Sequence, residues 1–349
     1  MPPGPLPERL RGHLAATPIL REPGLAVLAV SGGGDSLAML DLLAGLAPGL
    51  GLTLLVAHAD HGIAADSAAT AKWVVRLARE RYALETVSAA LRLGPDAGET
   101  RARAARYRFL RAVQAERGAR YLLTAHHADD QVETVLLRVL KGSAPSGLRG
   151  IDAVGPRGLV RPLLPFTHAE LVAHAVAAGL EIAHDPANAD PRHLRSWVRT
   201  VLLPVVTERL GPDGSAGLLA LARHARRERR AWDAVLDVLP GLALGVSEHR
   251  FEVAREALRG YDKALAGRVL RAAAGRAGVT LSPIAAERLA RFARTAPSGR
   301  RLDLGAGLAA EAAFGSLIVG ENRDAPASVP LDAPQGEVGF GDFRLAWRS

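Results

Sequence analysis

The chain has no cysteine in 349 residues. Disulfide staples, thiolate nucleophiles and cysteine-held iron–sulfur clusters are therefore excluded. Lysine is nearly absent too: Lys72, Lys141 and Lys263 are the whole complement, and the basic side of the charge balance is arginine. No apolar run approaches the roughly 20 residues that span a bilayer, so no membrane partner is expected. The first residues lack a basic stretch followed by an apolar core, so a secretion leader is not expected either, and the cytoplasm is the expected compartment. Two phosphate-loop words are also missing. There is no Gly-x-x-x-x-Gly-Lys-Ser/Thr, and no Gly-x-Gly-x-x-Gly with an acid about 20 residues further on. A Walker-type NTPase and a dinucleotide-binding Rossmann enzyme are set aside on that ground. No internal repeat is found.

What is present starts with charge and size. A net charge of +8 suggests a polyanionic partner. Biased codon use, with abundant Ala, Gly and Pro, explains arginine over lysine, but it does not explain a surplus of base over acid. With 48% hydrophobic residues, the chain is long enough for two or three cored domains.

The most informative stretch is Ser31-Gly32-Gly33-Gly34-Asp35-Ser36. It follows an apolar run over 24–30 that reads as a buried strand, and it precedes helical spacing from Leu37. Strand, glycine-rich turn and helix together aim backbone N–H groups and a helix N-terminus at one point. Absent Cβ atoms let an anion approach the main chain. Ser31 and Ser36 add hydroxyls. Asp35 suits an anion site if a Mg²⁺ bridges it to phosphate, or if it is merely a cap.

Further strands are read at 52–57, 84–91 and 120–125. Helices are read from the glycine loop to about 45, and over 66–82, 98–117 and 131–140, with Asp66 or Ser67 as an N-cap. This alternation predicts a doubly wound parallel α/β sheet. Ligands of such sheets lie beyond the carboxyl ends of the strands. The glycine loop, His58-Ala59-Asp60-His61 and His126-His127-Ala128-Asp129-Asp130 all fall there and should converge. Residues 142–165 are rich in Gly and Pro. Helices follow over 168–179 and 192–210, split by His184-Asp185-Pro186-Ala187-Asn188. The turn Gly211-Pro212-Asp213-Gly214 marks a boundary. The expected organisation is a catalytic domain over 1–212, a helical domain over 213–298 that opens with a basic helix, and a small C-terminal α+β part over 299–349.

Several clusters carry chemistry. His58 to His61 has metal-binding composition without a standard zinc spacing or an evident fourth ligand. It is read as touching nucleotide or shaping the loop. A helix starting near Asp129 places Asp129 and Glu133 on one face and Asp130 and Thr134 on the next, although acids in a first helical turn are also ordinary dipole partners. Glu99 and Arg103 form an i,i+4 pair. Arg103 or Arg106 can stabilise phosphate charge. Arg192, Arg195 and Arg199 share a helical face, which suits a phosphate backbone or a surface salt-bridge stripe. Arg223, Arg226, Arg227, Arg229 and Arg230 form a sharper but non-specific polyanion footprint.

These words occur in a recognisable order. After Ser31 to Ser36 come His58 to Gly62, then Glu99-x-x-Ala102-Arg103-x-x-Arg106-Tyr107, then Thr124-Ala125-His126-His127-x-Asp129-Asp130-Gln131-x-Glu133-Thr134. Gly142-Ser143, Gly147-Leu148, Arg161-Pro162-Leu163-Leu164, Asp185-Pro186-x-Asn188 and Arg192-x-x-Arg195 follow. The series resembles the bacterial tRNA(Ile)-lysidine synthetases of the N-type ATP pyrophosphatase, or PP-loop, class over residues 24–210. Ala64 stands where that family commonly has Arg, and His193 where it often has Asn.

The resemblance implies an enzyme that uses ATP and Mg²⁺ to adenylate cytidine 34 in the CAU anticodon of tRNA(Ile), and that then joins free L-lysine to its C2. It implies that Ser31, Gly32, Gly33, Gly34, Asp35, Ser36 and His58 hold ATP, with Asp35 as the metal ligand. Asp35, Arg106, His126 and Arg195 would act in catalysis. Asp129, Asp130 and Glu133 would meet the lysine ammonium or Mg²⁺. Arg192, Arg195, Arg199, Arg223, Arg226, Arg227 and Arg230 would bind tRNA. A homodimer is compatible with this. The alternatives are a non-catalytic tRNA-binding protein with a vestigial nucleotide site, or another base-adenylating tRNA-modifying enzyme; the absence of cysteine disfavours the tRNA thiolases.

Overall fold

A computed structural model describes residues 4–60, 67–91, 93–94, 98–143, 145–183, 194–211, 213–322, 335–340 and 343–348. His61, the Asp66 cap, Ala64, residues 184–188, Arg192 and His193 lie outside these, as does the side chain of Glu99. The chain divides into two compact units, 1–226 and 227–349.

The first unit is built on five parallel strands: β1 Gly24–Ala29, β2 Leu52–Asp60, β3 Thr86–Ala90, β4 Tyr121–Leu123 and β5 Leu159–Val160. Their order is β3-β2-β1-β4-β5. The direction of winding reverses between β1 and β4, and that crevice is where ligands of open α/β sheets bind. Successive β1 side chains face opposite ways. Ala26 and Leu28 join one fully buried cluster with Leu37, Leu40, Leu43 and Val56. Val27 joins another with Leu55, Leu110 and Leu122. Both faces are thus covered, as parallel sheets require.

The connecting helices are α1 Leu6–Ala16, which precedes the sheet, then α2 Gly34–Leu50, α3 Ser67–Tyr82, α4 Glu99–Glu116, α5 Ala128–Leu140 and α6 His168–Ala177. Helix α2 runs one turn beyond its expected end near residue 45. Its apolar face continues through buried Leu46 and Ala47, and Gly51, at φ +64°, closes it by donating to the carbonyls of Ala47 and Pro48. Strand β2 likewise outruns its expected end at residue 57, because β3 pairs with it as far as Asp60 and Ala90. His58 therefore sits inside the sheet. Strand β5 is a two-residue strand in the Gly/Pro-rich stretch and was not expected.

A helical segment follows as α7 Leu194–Trp197, a π-helical turn over Val198–Leu202, and α8 Leu203–Leu210. Helix α9, Asp213–Val238, contains the division between the units.

In the second unit, β6 Gly245–Ser247 and β7 Arg250–Ala254 interrupt the region expected to be mainly helical. Helices α10 Arg255–Gly260, α11 Lys263–Arg276 and α12 Pro283–Thr295 follow, then β8 Arg301–Gly305, β9 Leu308–Ala313 and β10 Ser316–Glu321. The antiparallel order β6-β7-β10-β9-β8 places the C-terminal strands in one sheet with β6 and β7. Val269, Leu270 and Leu289 of the helices share a core with Phe251, Val253, Leu317 and Val319 of the strands. Strands β11 Gln335–Phe340 and β12 Phe343–Arg348 form a separate hairpin. Among the described residues, no helix is long and apolar enough to cross a membrane.

Candidate active site

The glycine loop joins β1 to α2 at the reversal point of the sheet. Ser36 organises it. Its Oγ accepts from the amides of Ser31 (3.1 Å) and Gly32 (3.2 Å) and donates to the carbonyl of Gly33 (2.8 Å). The Ser31 and Ser36 hydroxyls lie 3.1 Å apart. Gly32 adopts φ +95°, a region that side-chain-bearing residues avoid. A Cβ on Gly34 would come within 2.9 Å of Val172 Cγ2 and 3.3 Å of Ile182 Cδ1. The two glycines thus let the loop lie flat against α6 and the segment after it, where the Ala183 amide donates to Gly32 O at 3.0 Å. Helix α2 opens at Gly33 with no side-chain cap, so its first-turn amides and dipole face the loop's open side, where an anion is favoured.

His58 supports the loop from inside the sheet. Its Nδ1 donates to the carbonyl of Val30 at 2.9 Å, and its side chain is buried. Burial lowers its pKa, partly opposed by that carbonyl. It was expected to touch nucleotide or shape the loop, and this geometry is the shaping role.

The second cluster springs from the end of β4 and the start of α5. Thr124 Oγ1 and His126 Nδ1 pair at 2.9 Å. Burial, aided by Arg161, Arg103 and Arg106 against the pull of Asp130, drives the His126 pKa down to about 3. His126 is therefore neutral near pH 7. His127 caps α5: its amide donates to Asp130 Oδ2 at 3.0 Å. Burial opposes charge on its ring, but Asp129 at 3.2 Å, with Asp130 and Asp35 behind it, prevails and raises its pKa. The bond to His127 holds Asp129 down at about 2.

Asp35 lies between two imidazoles. Its Oδ1 accepts from His168 Nδ1 at 2.8 Å, and its Oδ2 lies 3.6 Å from His127 Nε2. The Asp35 bond raises the pKa of His168. His168 is the first residue of α6, fixed by the Thr167/Glu170 capping box, and its amide donates to Asp129 Oδ2 at 2.7 Å. Neither His168 nor His127 was picked out individually from the sequence. The Thr167-x-x-Glu170 box marks a helix start there, but nothing local links it to Asp35.

Arginines complete the site. Arg195 donates from Nε to Glu133 (2.8 Å) and from Nη2 to Asp130 (2.8 Å). Arg199 grips the same Glu133, from Nε at 2.5 Å and from Nη2 at 3.2 Å. Glu133 is almost wholly buried. Burial opposes charge on Arg199, but the bond to Glu133 outweighs it and raises its pKa. The pair that meets here is thus Arg195 with Arg199, one turn apart. Burial lowers the pKa of Arg106, helped by the like charges of Arg103 and Arg195 and opposed by Asp130, and its guanidinium stacks on Tyr107 at 5.6 Å. Asp130 and Glu133 have their charges matched by guanidinium. Asp129, with half its side chain exposed, is the acid with an open face.

The expected tRNA contacts separate. Arg199 is occupied with Glu133. Arg226 is half-buried and donates to the carbonyl of Ile151 at 3.0 Å. Arg223, Arg227 and Arg230 are exposed on α9.

The donor set suits a nucleotide triphosphate, with a helix N-terminus, loop hydroxyls and nearby guanidiniums. It suits Mg²⁺ through the Asp35 carboxylate, because this hard cation takes oxygen, keeps several waters and shares phosphate oxygens. The His127 and His168 nitrogens are poor ligands for it.

A sequence family described as a PP-loop domain matches residues 12–206. The chain is 42% identical to a tRNA(Ile)-lysidine synthase of Methylobacterium nodulans, over 64% of this chain and 67% of that one. It is 39% identical to one of Salinispora tropica, over 61% and 66%, and 36% identical to one of Salinispora arenicola, over 72% and 76%. The match thus spans about two thirds to three quarters of these relatives' lengths. Among solved structures, the U34-tRNA thiolase NcsA of Methanococcus maripaludis, solved with its 4Fe-4S cluster, superposes with a TM-score of 0.52. That likeness covers 63% of this chain and 78% of the thiolase at 18% identity, and it reflects a shared fold alone. With a glycine loop, an α5 acid–histidine cluster and an arginine pair assembled at the switch point of a PP-loop sheet, the chain belongs to the tRNA(Ile)-lysidine synthase family of ATP-dependent ligases.

Proposed function

We infer that this protein joins the ε-amine of free L-lysine to C2 of cytidine 34 in the CAU anticodon of tRNA(Ile), in the cytoplasm. The observation that carries the reading is the convergence of Ser31–Ser36, His126–Glu133 and Arg195/Arg199 on one sheet edge, in a chain of this family.

In the first step, O2 of cytidine 34 attacks the α-phosphorus of ATP, and the bond to the bridging oxygen breaks to release pyrophosphate. In the second, the lysine nitrogen lone pair adds to C2. The C2–O2 bond then breaks, and O2 departs on AMP. The loop amides, the α2 N-terminus and Ser31 cradle the phosphates. Arg106 and Arg195 offset charge that develops on the phosphoryl oxygens. Mg²⁺, held by Asp35 with the nucleotide's own oxygens, would neutralise charge on the leaving pyrophosphate.

Lysine enters as an ammonium with a pKa of about 10.4, so it must lose a proton before attacking. Asp129 is the acid best placed to receive that ammonium, its side chain half exposed beside His127. No protein nucleophile is required, which agrees with a chain devoid of cysteine.

The test is transfer of labelled lysine to a CAU transcript of tRNA(Ile) with ATP and Mg²⁺, using a C34U transcript as control. C34-dependent labelling with release of AMP is expected. Absence of both labelling and AMP would sink the reading in favour of a tRNA-binding protein with a vestigial nucleotide site. AMP without labelling would point to another base-adenylating activity.

A further inference from the structure

The turn between β9 and β10 consists of Phe314 and Gly315. Phe314 is 90% exposed. A lone exposed apolar side chain is ordinary, but this one sits on backbone that no phenylalanine prefers. Its φ is +46°. In a two-residue hairpin loop of this kind, the first position takes positive φ and is normally glycine. Here glycine is available and stands second, while the bulky aromatic occupies the strained position.

The conformation is held from three directions. The Phe314 amide donates to Ser298 Oγ at 2.7 Å, and its carbonyl accepts from Arg255 Nη1 at 3.1 Å. The Gly315 carbonyl accepts from the Arg255 amide at 2.8 Å. Arg255 is itself buried. Its remaining side-chain bonds run from Nε to Ala293 O (2.8 Å) and from Nη2 to Ala296 O, so it staples the end of α12 to the hairpin tip. Such strain persists where the surrounding structure over-determines it, and the exposed ring is what this turn presents. The surroundings are basic. Arg294 in the last turn of α12 and Arg300 beyond it are exposed, and the Arg300 carbonyl accepts from the Ala312 amide, two residues before the tip.

We propose that Phe314 is a stacking platform for an unpaired base of the tRNA, with Arg294 and Arg300 meeting the adjoining phosphates. This rests on the tRNA substrate proposed above. An aromatic face with flanking guanidiniums is the chemistry that recognises splayed single-stranded bases. A rigid turn presents the ring without the entropy cost of ordering it on binding.

The test uses the full chain with Phe314→Ala, Phe314→Trp and Phe314→Gly. Phe314→Ala should weaken tRNA binding by about 5- to 150-fold, the range expected for one stacked base, at an unchanged salt slope. Arg300→Ala should reduce that slope by about one. Phe314→Trp should retain affinity, and its extra emission over wild type should be quenched by tRNA. Phe314→Gly should raise the Tm by relieving the strained φ and still lose affinity, which separates loss of stacking from misfolding. Wild-type affinity in Phe314→Ala, or unquenched emission in Phe314→Trp at saturating tRNA, overturns the proposal. So does a concentration-dependent dimer lost in Phe314→Ala with tRNA binding intact, since that assigns the ring to self-association. Lysine transfer with an unchanged KM for tRNA in Phe314→Ala sinks the platform and spares the ligase reading. Phe314-dependent tRNA binding without lysine transfer does the reverse.

Discussion

His168 Nδ1 donates to Asp35 Oδ1 across 2.8 Å, tying the start of α6 to the glycine loop over 133 residues of sequence. Asp35 is thereby oriented at the N-terminus of α2, where the nucleotide's phosphates are proposed to lie. Asp35→Asn keeps the shape and removes the charge. It should cut tRNA-dependent AMP formation by on the order of 100-fold or more, with the Tm little changed. The same variant should bring the His168 pKa back toward about 6.5, because the Asp35 bond is the main reason it is raised. Following the imidazole resonances by NMR titration checks this; an AMP rate in Asp35→Asn equal to wild type would remove Asp35 from the reaction.

Ser36 holds the loop with a single oxygen. Ser36→Ala strands the amides of Ser31 and Gly32 and the carbonyl of Gly33. Groups left unpaired in a partly buried setting cost about 1–3 kcal/mol. Ser31 can be rehydrated more readily than buried Gly32, so the lower end is expected. Urea unfolding reads that loss, and the KM for ATP should rise in parallel as the loop loses its shape. Restoring the hydroxyl with Ser36→Thr should recover part of both.

Glu133 is the shared anchor of Arg195 and Arg199. Its removal leaves two guanidiniums without their buried acid, and breaking such a pair costs about 3–5 kcal/mol. Glu133→Gln should fall near the lower figure, because the amide retains one acceptor. Arg199→Ala should cost about 1 kcal/mol, because that side chain is nearly half exposed and its pairing is screened. Denaturant midpoints for the two variants should therefore differ clearly. Equal midpoints would mean that Glu133 is not the anchor.

How far the sequence could be read depended on the range of the signal. The glycine loop was legible because strand, turn and helix all lie within about twenty consecutive residues. The switch-point position followed from the alternation of strands and helices. The partnership of Asp35 with His168 was not legible, because no local pattern joins a loop to a helix cap so far along the chain. The arginine stripe was legible in kind but not in partner. Helical spacing set Arg192, Arg195 and Arg199 on one face, suited to a phosphate backbone or a salt-bridge stripe; a π-helical turn begins at Val198, and Arg195 and Arg199 pair with Glu133, a partner that spacing alone does not name. In the second unit, β6 is three exposed residues and carries no burial alternation to announce it, so a helical reading of 240–300 passed over it.

His126 makes the site sensitive to acid. Its folded pKa is pushed down to about 3 by burial, while the unfolded value is about 6.5. Below pH 6.5 the unfolded chain binds a proton that the folded chain refuses, so stability falls as pH drops from about 6.5 toward about 3. Asp129 adds to this at the low end. Held at about 2 by His127, it contributes stability that is present above about 3.8 and lost as pH falls through 2. His58 adds to this decline, while His127 and His168, whose pKa values are raised, oppose it, so the His126 part is read as the difference between wild type and His126→Gln in stability against urea from pH 7 to about pH 2.5. His126→Gln should flatten the upper part of that decline, because an amide of similar reach has no proton to gain, and it should leave the Asp129 part in place. If wild type and His126→Gln show the same slope between pH 6.5 and 4, the imidazole titrates near its ordinary value, and His126 becomes available as a cation at the phosphoryl group after all.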